Sequence, residues 1–323
     1  MSRYPVFSSE VAAALHAQCR SALRAFSPEL AAGGDRLLAM HTGEQWPVEW
    51  HLPWWLAQEL RLPEEIWRGL TVCNLLGLGY VRLHDHLAEE TTADGLTSGR
   101  QAVLAAALCE AALASQTQLF GGAPEFWRRR SGYMAAWLAA LLEDGLPLSQ
   151  PAARWQETEL LRLADRGAPL KITAAGACLL AGRAQRLPLV EQALDHLLTA
   201  QVLLDHVDDW QEDLAQGRAN VLVAFASDLP QERRHAEANQ RRVLALLMLG
   251  DPAGYWQHVQ RHLARAGALA EAIPCAGLAR FIAAQAEDAD LAWQRLIGDA
   301  RGHLAGAVGR LLDEPHPRVG QTL

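Results

Sequence analysis

Apolar residues recur every three to four positions through most of the chain, and runs of alternating Val, Ile and Thr are absent. That period predicts helices, with Pro, Gly and Ser marking their ends. Ser8-Ser9 opens a helix to about Phe26. Pro63-Glu64-Glu65 opens a long one to Glu90, Thr97-Ser98 another that ends near Gly121-Gly122, and Pro124 a third that ends by Gly145. Pro151 starts a helix ending near Gly167, and Pro169 a small-residue helix from Leu170 to Arg183. Pro188 starts a long helix that runs to Gln216, with Gly217 as its C-cap. Pro230 and Pro252 start two more, and a last helical region covers about Cys275 to Asp313. The expected fold is therefore all-α, with about ten helices or more and no sheet. Breaks are only a few residues long, so residues 1–313 are expected to form a single helical domain. Residues 314–323, with Pro315, Pro317 and Gly320, read as a flexible tail.

Two acidic clusters interrupt the apolar pattern at the ends of long helices. The first is Asp85-His86-Leu87-Ala88-Glu89, and the second runs from Asp205 through Asp208, Asp209 and Glu212 to Asp213. On a helix the four-residue spacing stacks Asp85 over Glu89, and Asp205 over Asp209 over Asp213. No basic residue lies between Asp205 and Gln216 to relieve the repulsion, and Arg82 shares the face of Asp85 and Glu89. Apolar runs precede both clusters, Leu75-Leu76-Gly77-Leu78 and Val202-Leu203-Leu204, which predicts acidic ends pointing into a core. Carboxylates placed so need cations, and Mg²⁺ prefers carboxylate oxygens shared with substrate phosphates. Two solvated acidic faces are the plainer alternative.

Composition narrows the function classes. The 323 residues are 50% hydrophobic and carry a net charge of −8, which does not suit a nucleic-acid partner. The densest basic stretch, Arg128-Arg129-Arg130, reads as a solvated helix face. Five cysteines are scattered with no Cys-x-x-Cys pair and read as buried free thiols in a reducing compartment. There is no signal peptide and no transmembrane span to be seen, so the cytoplasm is the expected location. Four of the eleven tryptophans sit at Trp46, Trp50, Trp54 and Trp55. Packing is their first explanation, and an aromatic pocket wall that steadies a carbocation is the other. Tyr80, Trp137, Trp155 and Trp210 are further pocket candidates.

These residues resemble a family. Acidic motifs on two long helices are similar to those of the trans-type class I isoprenoid synthases, which include squalene and phytoene synthases and class I terpene synthases. Asp209-Trp-Gln-Glu-Asp213 with trailing Gly217-Arg218 resembles the second Asp-x-x-x-Asp motif of squalene/phytoene synthases. Asp85-x-x-x-Glu89 resembles the first, with Glu in place of the final Asp and His84 and His86 alongside. Lys171 through Gly182 looks like the small-residue helix whose Lys meets a diphosphate. The three elements span about residues 70 to 222 in the family's order.

The resemblance implies a large helical bundle with a central cavity, Mg²⁺ as cofactor (three ions, with Mn²⁺ as a substitute) and a prenyl diphosphate substrate. It assigns Asp85, Glu89, Asp205, Asp209 and Asp213 to the metals, with Asp85, Asp209 and Asp213 as the catalytic carboxylates. It assigns Lys171 and Arg218 to the diphosphate, with Arg82 and Arg166 beside them. A terpene synthase is the expected activity. Head-to-head prenyl transfer and a diverged, non-catalytic helical protein are the alternatives, and a homodimer stays open. His84-Asp85 and Asp205-His206 are weaker signals for a phosphohydrolase, and His86 followed by Glu89 reverses the Glu-x-x-His order of di-iron bundles.

Overall fold

The computed structural model describes residues 3–88, 97–144, 157–226, 236–250 and 254–313. Among the described residues the regular elements are all helices, as the sequence predicts. They are α1 (Ser9–Arg24), α2 (Pro28–Met40), α3 (Pro47–Leu60), α4 (Glu64–Ala88), α5 (Ser98–Phe120), α6 (Pro124–Asp144) and α7 (Glu157–Leu160). A 3-10 stretch, Leu161–Gly167, leads into α8 (Leu170–Leu180). Then come α9 (Leu187–Asp208), α10 (Trp210–Gln216), α11 (Val221–Ala226), α12 (Ala236–Met248), α13 (Tyr255–Ala272) and α14 (Ala276–Asp313). The starts at Pro151, Pro230 and Pro252, the 314–323 tail, Glu89 and Trp155 lie outside the described residues.

Local chemistry sets the ends. Ser8 and Ser27 accept hydrogen bonds from Val11 N and Leu30 N at 3.4 and 3.1 Å, so each caps an otherwise orphaned helical N–H. Pro28, Pro47 and Pro188 occupy first-turn positions, where no N–H is needed. Gly217 closes α10 in the left-handed conformation at φ 69°, which a side chain would strain. The single long helix expected from Pro188 to Gln216 instead bends at Asp209, whose φ of −97° and ψ of 0° leave the helical region. The bonds Asp209 N to Asp205 O and Asp213 N to Asp209 O, both 2.9 Å, carry the ladder through the bend.

Two pairings organise the bundle, α4 along α5 and α9 along α13. One core cluster gathers α3, α8, α9, α13 and α14, and a second gathers α1, α2, α4 and α5. Trp54 and Leu62 pack against both. Trp50 and Trp55 follow the packing explanation: both are buried, and Trp55 stands edge-on to Tyr4 and covers Gly277. Helix α5 is long and apolar enough by composition to cross a membrane, but its buried face lies along α4 as a core helix does. Small residues let α8 sit close to its neighbours. A Cβ on Gly176 would stand 2.7 Å from the Phe120 ring.

The five cysteines are free. Burial pushes the thiols of Cys19 and Cys73 up to about 12, and those of Cys178 and Cys275 up to about 11. Cys109 is only half-buried.

Candidate functional site

A cavity of about 110 Å³, room for several water molecules, opens between α4, α5, α6, the Leu161–Gly167 turn and α8. Its inner walls include Leu70, Phe120, Phe126 and Met134, and its polar lining includes Arg82, Asp85 and Arg166. Of the aromatic pocket candidates, Tyr80 lines it, and Trp137 packs edge-on behind Tyr80 and His84. Trp210 is buried in the core instead.

The wall owes part of its order to a proline. Pro53 inside α3 has no N–H to give, so the carbonyl of Glu49, four residues back, loses its helical partner. The side-chain amide of Asn74 on α4 donates to that carbonyl. Asn74 Oδ1 in turn accepts from Thr173 Oγ1 on α8 at 2.7 Å. One missing hydrogen bond thus ties three helices together, and Glu49, Asn74 and Thr173 all line the cavity.

At the mouth, Arg82 is the hub. Its Nη1 lies 3.5 Å from Asp85 Oδ2, and its guanidinium carbon sits 3.4 Å from the centre of the Trp46 ring. Burial lowers the Arg82 pKa, Asp85, Glu49 and Asp205 act to raise it, and Arg166 repels it. The C-terminal turn of α4 and the end of α9 therefore face each other closely enough for Asp205 to act on Arg82. Asp205 is open to solvent on one side yet crowded by protein, and that burial pushes its carboxyl up. Arg166 and Arg82 pull it back down, and Asp213 and Asp208 add to the rise. Asp209 is pushed up too, first by burial and then by the charges of Asp205, Asp213, Asp208 and Glu212. A carboxylate raised by four like neighbours is one short of positive charge.

The second cluster does not point wholly inward. Asp205, Asp208, Asp209 and Glu212 are exposed, and only Asp213 is buried. Asp213 accepts from Asn220 Nδ2 at 2.8 Å, and Arg218 Nη1 stands 3.9 Å from its other oxygen. Asn220 also donates to the His206 carbonyl at 2.9 Å and caps α11 by accepting from Val223 N. Asp213 and Arg218 therefore anchor the turn after α10 as well as ending the acidic stripe.

Lys171 has an acidic partner of its own. It is 8% exposed and forms an ion pair with Asp195 on α9, ten residues before Asp205. Burial pushes Asp195 up and Lys171 holds it back. Lys171→Ala would strand a mostly buried carboxylate, so the expected loss is about 2 kcal/mol of stability in urea titration. Unchanged stability with weakened pyrophosphate binding would instead support Lys171 as a diphosphate ligand.

Sequence reading missed Glu49 at the mouth. Burial raises it and Arg82 lowers it. No motif surrounds it, and only Pro53 four residues on hinted at an unusual carbonyl there.

Among the described residues, no group of three or more His, Cys, Asp or Glu side chains is gathered tightly enough to hold a metal ion by itself. Mg²⁺ does not need one. It keeps several waters and is usually bound by one or two carboxylates plus substrate phosphates. The all-oxygen donors Asp85, Asp205 and Asp209, the last two raised by crowding and mutual repulsion, fit such an ion. No family model and no curated protein matches the chain.

Proposed function

We propose that the chain is a Mg²⁺-dependent class I isoprenoid synthase that ionises an allylic prenyl diphosphate and turns the carbocation into a terpene product. What supports this reading is Arg82, Asp85 and Arg166 in the lining of a cavity whose inner walls are largely apolar, with Asp205 of α9 near enough for its charge to act on both arginines. Asp85, Asp205 and Asp209 would hold the ions, which when bound neutralise charge on the departing diphosphate. Arg82 and Arg166 supply permanent positive charge for the same oxygens. Trp46 and the carboxylates around Arg82 hold its guanidinium in place. The apolar walls, which include the stacked pair Phe120 and Phe126, bind the prenyl chain and keep water from the reacting carbon.

The test is incubation of the purified chain with geranyl, farnesyl and geranylgeranyl diphosphate, with and without Mg²⁺. Pyrophosphate release and hydrocarbon products are then measured. Mg²⁺-dependent release with a new hydrocarbon or alcohol is expected, and product size separates cyclisation from head-to-head condensation. No release from any substrate, with no thermal shift from Mg²⁺ plus pyrophosphate, would leave the diverged non-catalytic protein as the answer.

A further inference from the structure

A carbocation becomes an alkene only when something takes a proton from it, and the cavity wall narrows what that can be. Arg82, Arg130 and Arg166 line it as cations with no lone pair to offer. Arg130 turns inward and its Nε donates to Gln116 Oε1 at 2.7 Å, whereas Arg128 pairs with Glu125 on the surface. That corrects the expectation of a solvated face for the whole run Arg128-Arg129-Arg130. Asn74, Gln116 and Thr173 are neutral and serve as hydrogen-bonding groups. The thiols and the phenol on the wall keep their protons. Burial pushes Cys73 up to about 12 and raises Tyr80 and Cys109, with Arg130 opposing the rise at the last two. Two lining carboxylates remain, Asp85 and Glu49. Asp85 is paired with Arg82 and stands with the proposed metal ligands.

Glu49 is placed differently. It sits in the first turn of α3, with part of its surface open to the chamber and the rest crowded by protein. Burial raises its carboxyl, and Arg82 and its own backbone N–H oppose the rise. Among the described residues no cation forms an ion pair with it, because Arg82 turns its Nη1 to Asp85 instead. A desolvated carboxylate without a partner is costly to keep, and a raised carboxyl is the stronger base. Its backbone is fixed from two other helices. Asn74 on α4 donates to the Glu49 carbonyl, and Thr173 on α8 donates to Asn74. The residue is therefore held in one place on the wall rather than left to swing.

We propose that Glu49 is the catalytic base that ends the reaction by taking a proton from a carbon next to the cationic centre. The C–H bond breaks and its electron pair becomes the new C=C bond, which cancels the positive charge. The proton rides on a Glu49 carboxylate oxygen and returns to water as the product leaves. This role rests on the prenyl-diphosphate reading above and adds to it the class of product, an alkene rather than an alcohol.

The experiment gives the full chain and its Glu49→Gln variant geranyl, farnesyl and geranylgeranyl diphosphate with Mg²⁺, and reads the ratio of hydrocarbon to alcohol among the products. The parent is expected to make mainly hydrocarbon. Glu49→Gln keeps the shape but cannot take the proton, so the cation waits for water and the ratio should fall at least about tenfold. Glu49→Asp draws the carboxylate back by one methylene and should fall between the two, and it carries the test if Glu49→Gln fails to fold. A folded Glu49→Gln with the parental ratio would leave the departing diphosphate as the proton acceptor and overturn the proposal. A parent that makes only alcohol overturns it too, with the ionisation step left standing. Loss of all pyrophosphate release in a folded Glu49→Gln would move the residue to that earlier step, beside Arg82, and also overturn it. No Mg²⁺-dependent release from the parent itself sinks the proposed reaction, and the role of Glu49 with it.

Discussion

Asp209→Ala is expected to lower Mg²⁺-dependent pyrophosphate release by at least ~10²-fold, because it removes a metal ligand that acts on developing charge. The position makes the test clean. Asp209 is exposed and sits where four like charges already raise it, so its loss relieves repulsion rather than opening a hole. The backbone bonds through the bend do not use its side chain. A folded variant is therefore expected, with thermal stability equal to or slightly above that of the parent. Asp213→Ala would be harder to read, since it also releases Asn220 and the start of α11. A folded Asp209→Ala protein with near-parental turnover would remove the second acidic cluster from the chemistry.

Acid should destabilise the fold through two buried imidazoles. Burial, helped by Arg166, pushes His206 down to about 3. Burial, helped by His196, His258 and Arg261, pushes His262 down to about 4. His206 Nδ1 accepts from Val221 N at 3.2 Å, so its neutral form is the one the fold uses. His262 faces His196 at 2.9 Å between Nδ1 atoms, where one ring must donate and the other accept. His196 is in turn flanked by Glu157, Arg265 and Asp195. The unfolded chain protonates each ring near pH 6.5, whereas the folded chain resists until about pH 4 and about pH 3. The stability they contribute is thus complete above about pH 6.5 and is lost as pH falls from there. Each ring adds a slope of up to about 1.4 kcal/mol per pH unit.

The raised carboxylates Glu49, Asp195, Asp205, Asp208 and Asp209 act in the opposite sense, since the folded state binds their protons first. The variant His206→Asn isolates the imidazole from them. Its urea-derived stability between pH 6 and 4 should fall less steeply than the parent's by about one proton's worth, ~1.4 kcal/mol per unit. Parallel slopes would show that His206 is not held neutral.

The helices were legible where their ends are set by neighbours in sequence. Ser8, Pro63, Thr97, Pro124 and Pro169 each act within one turn, and each marks a real start. Ser27-Pro28-Glu29 carries the same signal for α2, and Pro47 for α3, two helices that are absent from the sequence-based expectation. The bend at Asp209 has neither Pro nor Gly to announce it. The candidate site was legible only in part. Periodicity puts Asp205 and Asp209 near one face, but it cannot say that Asp205 acts on Arg82 across the mouth. Nor can it say that Lys171 meets Asp195, or that Arg130 turns in while Arg128 turns out. Those are facts of helix packing, which depend on residues tens to hundreds of positions apart.

The thiols have a practical consequence. Four of the five are buried and hold their protons far above neutral pH, so they are poor nucleophiles as long as the chain stays folded. Cys109, only half-buried, lies on the cavity wall within the field of Arg130. Burial raises the Cys109 thiol as well, with Arg130 opposing the rise, so it differs from the other four in access: a thiol-directed reporter would reach it first, beside the chamber.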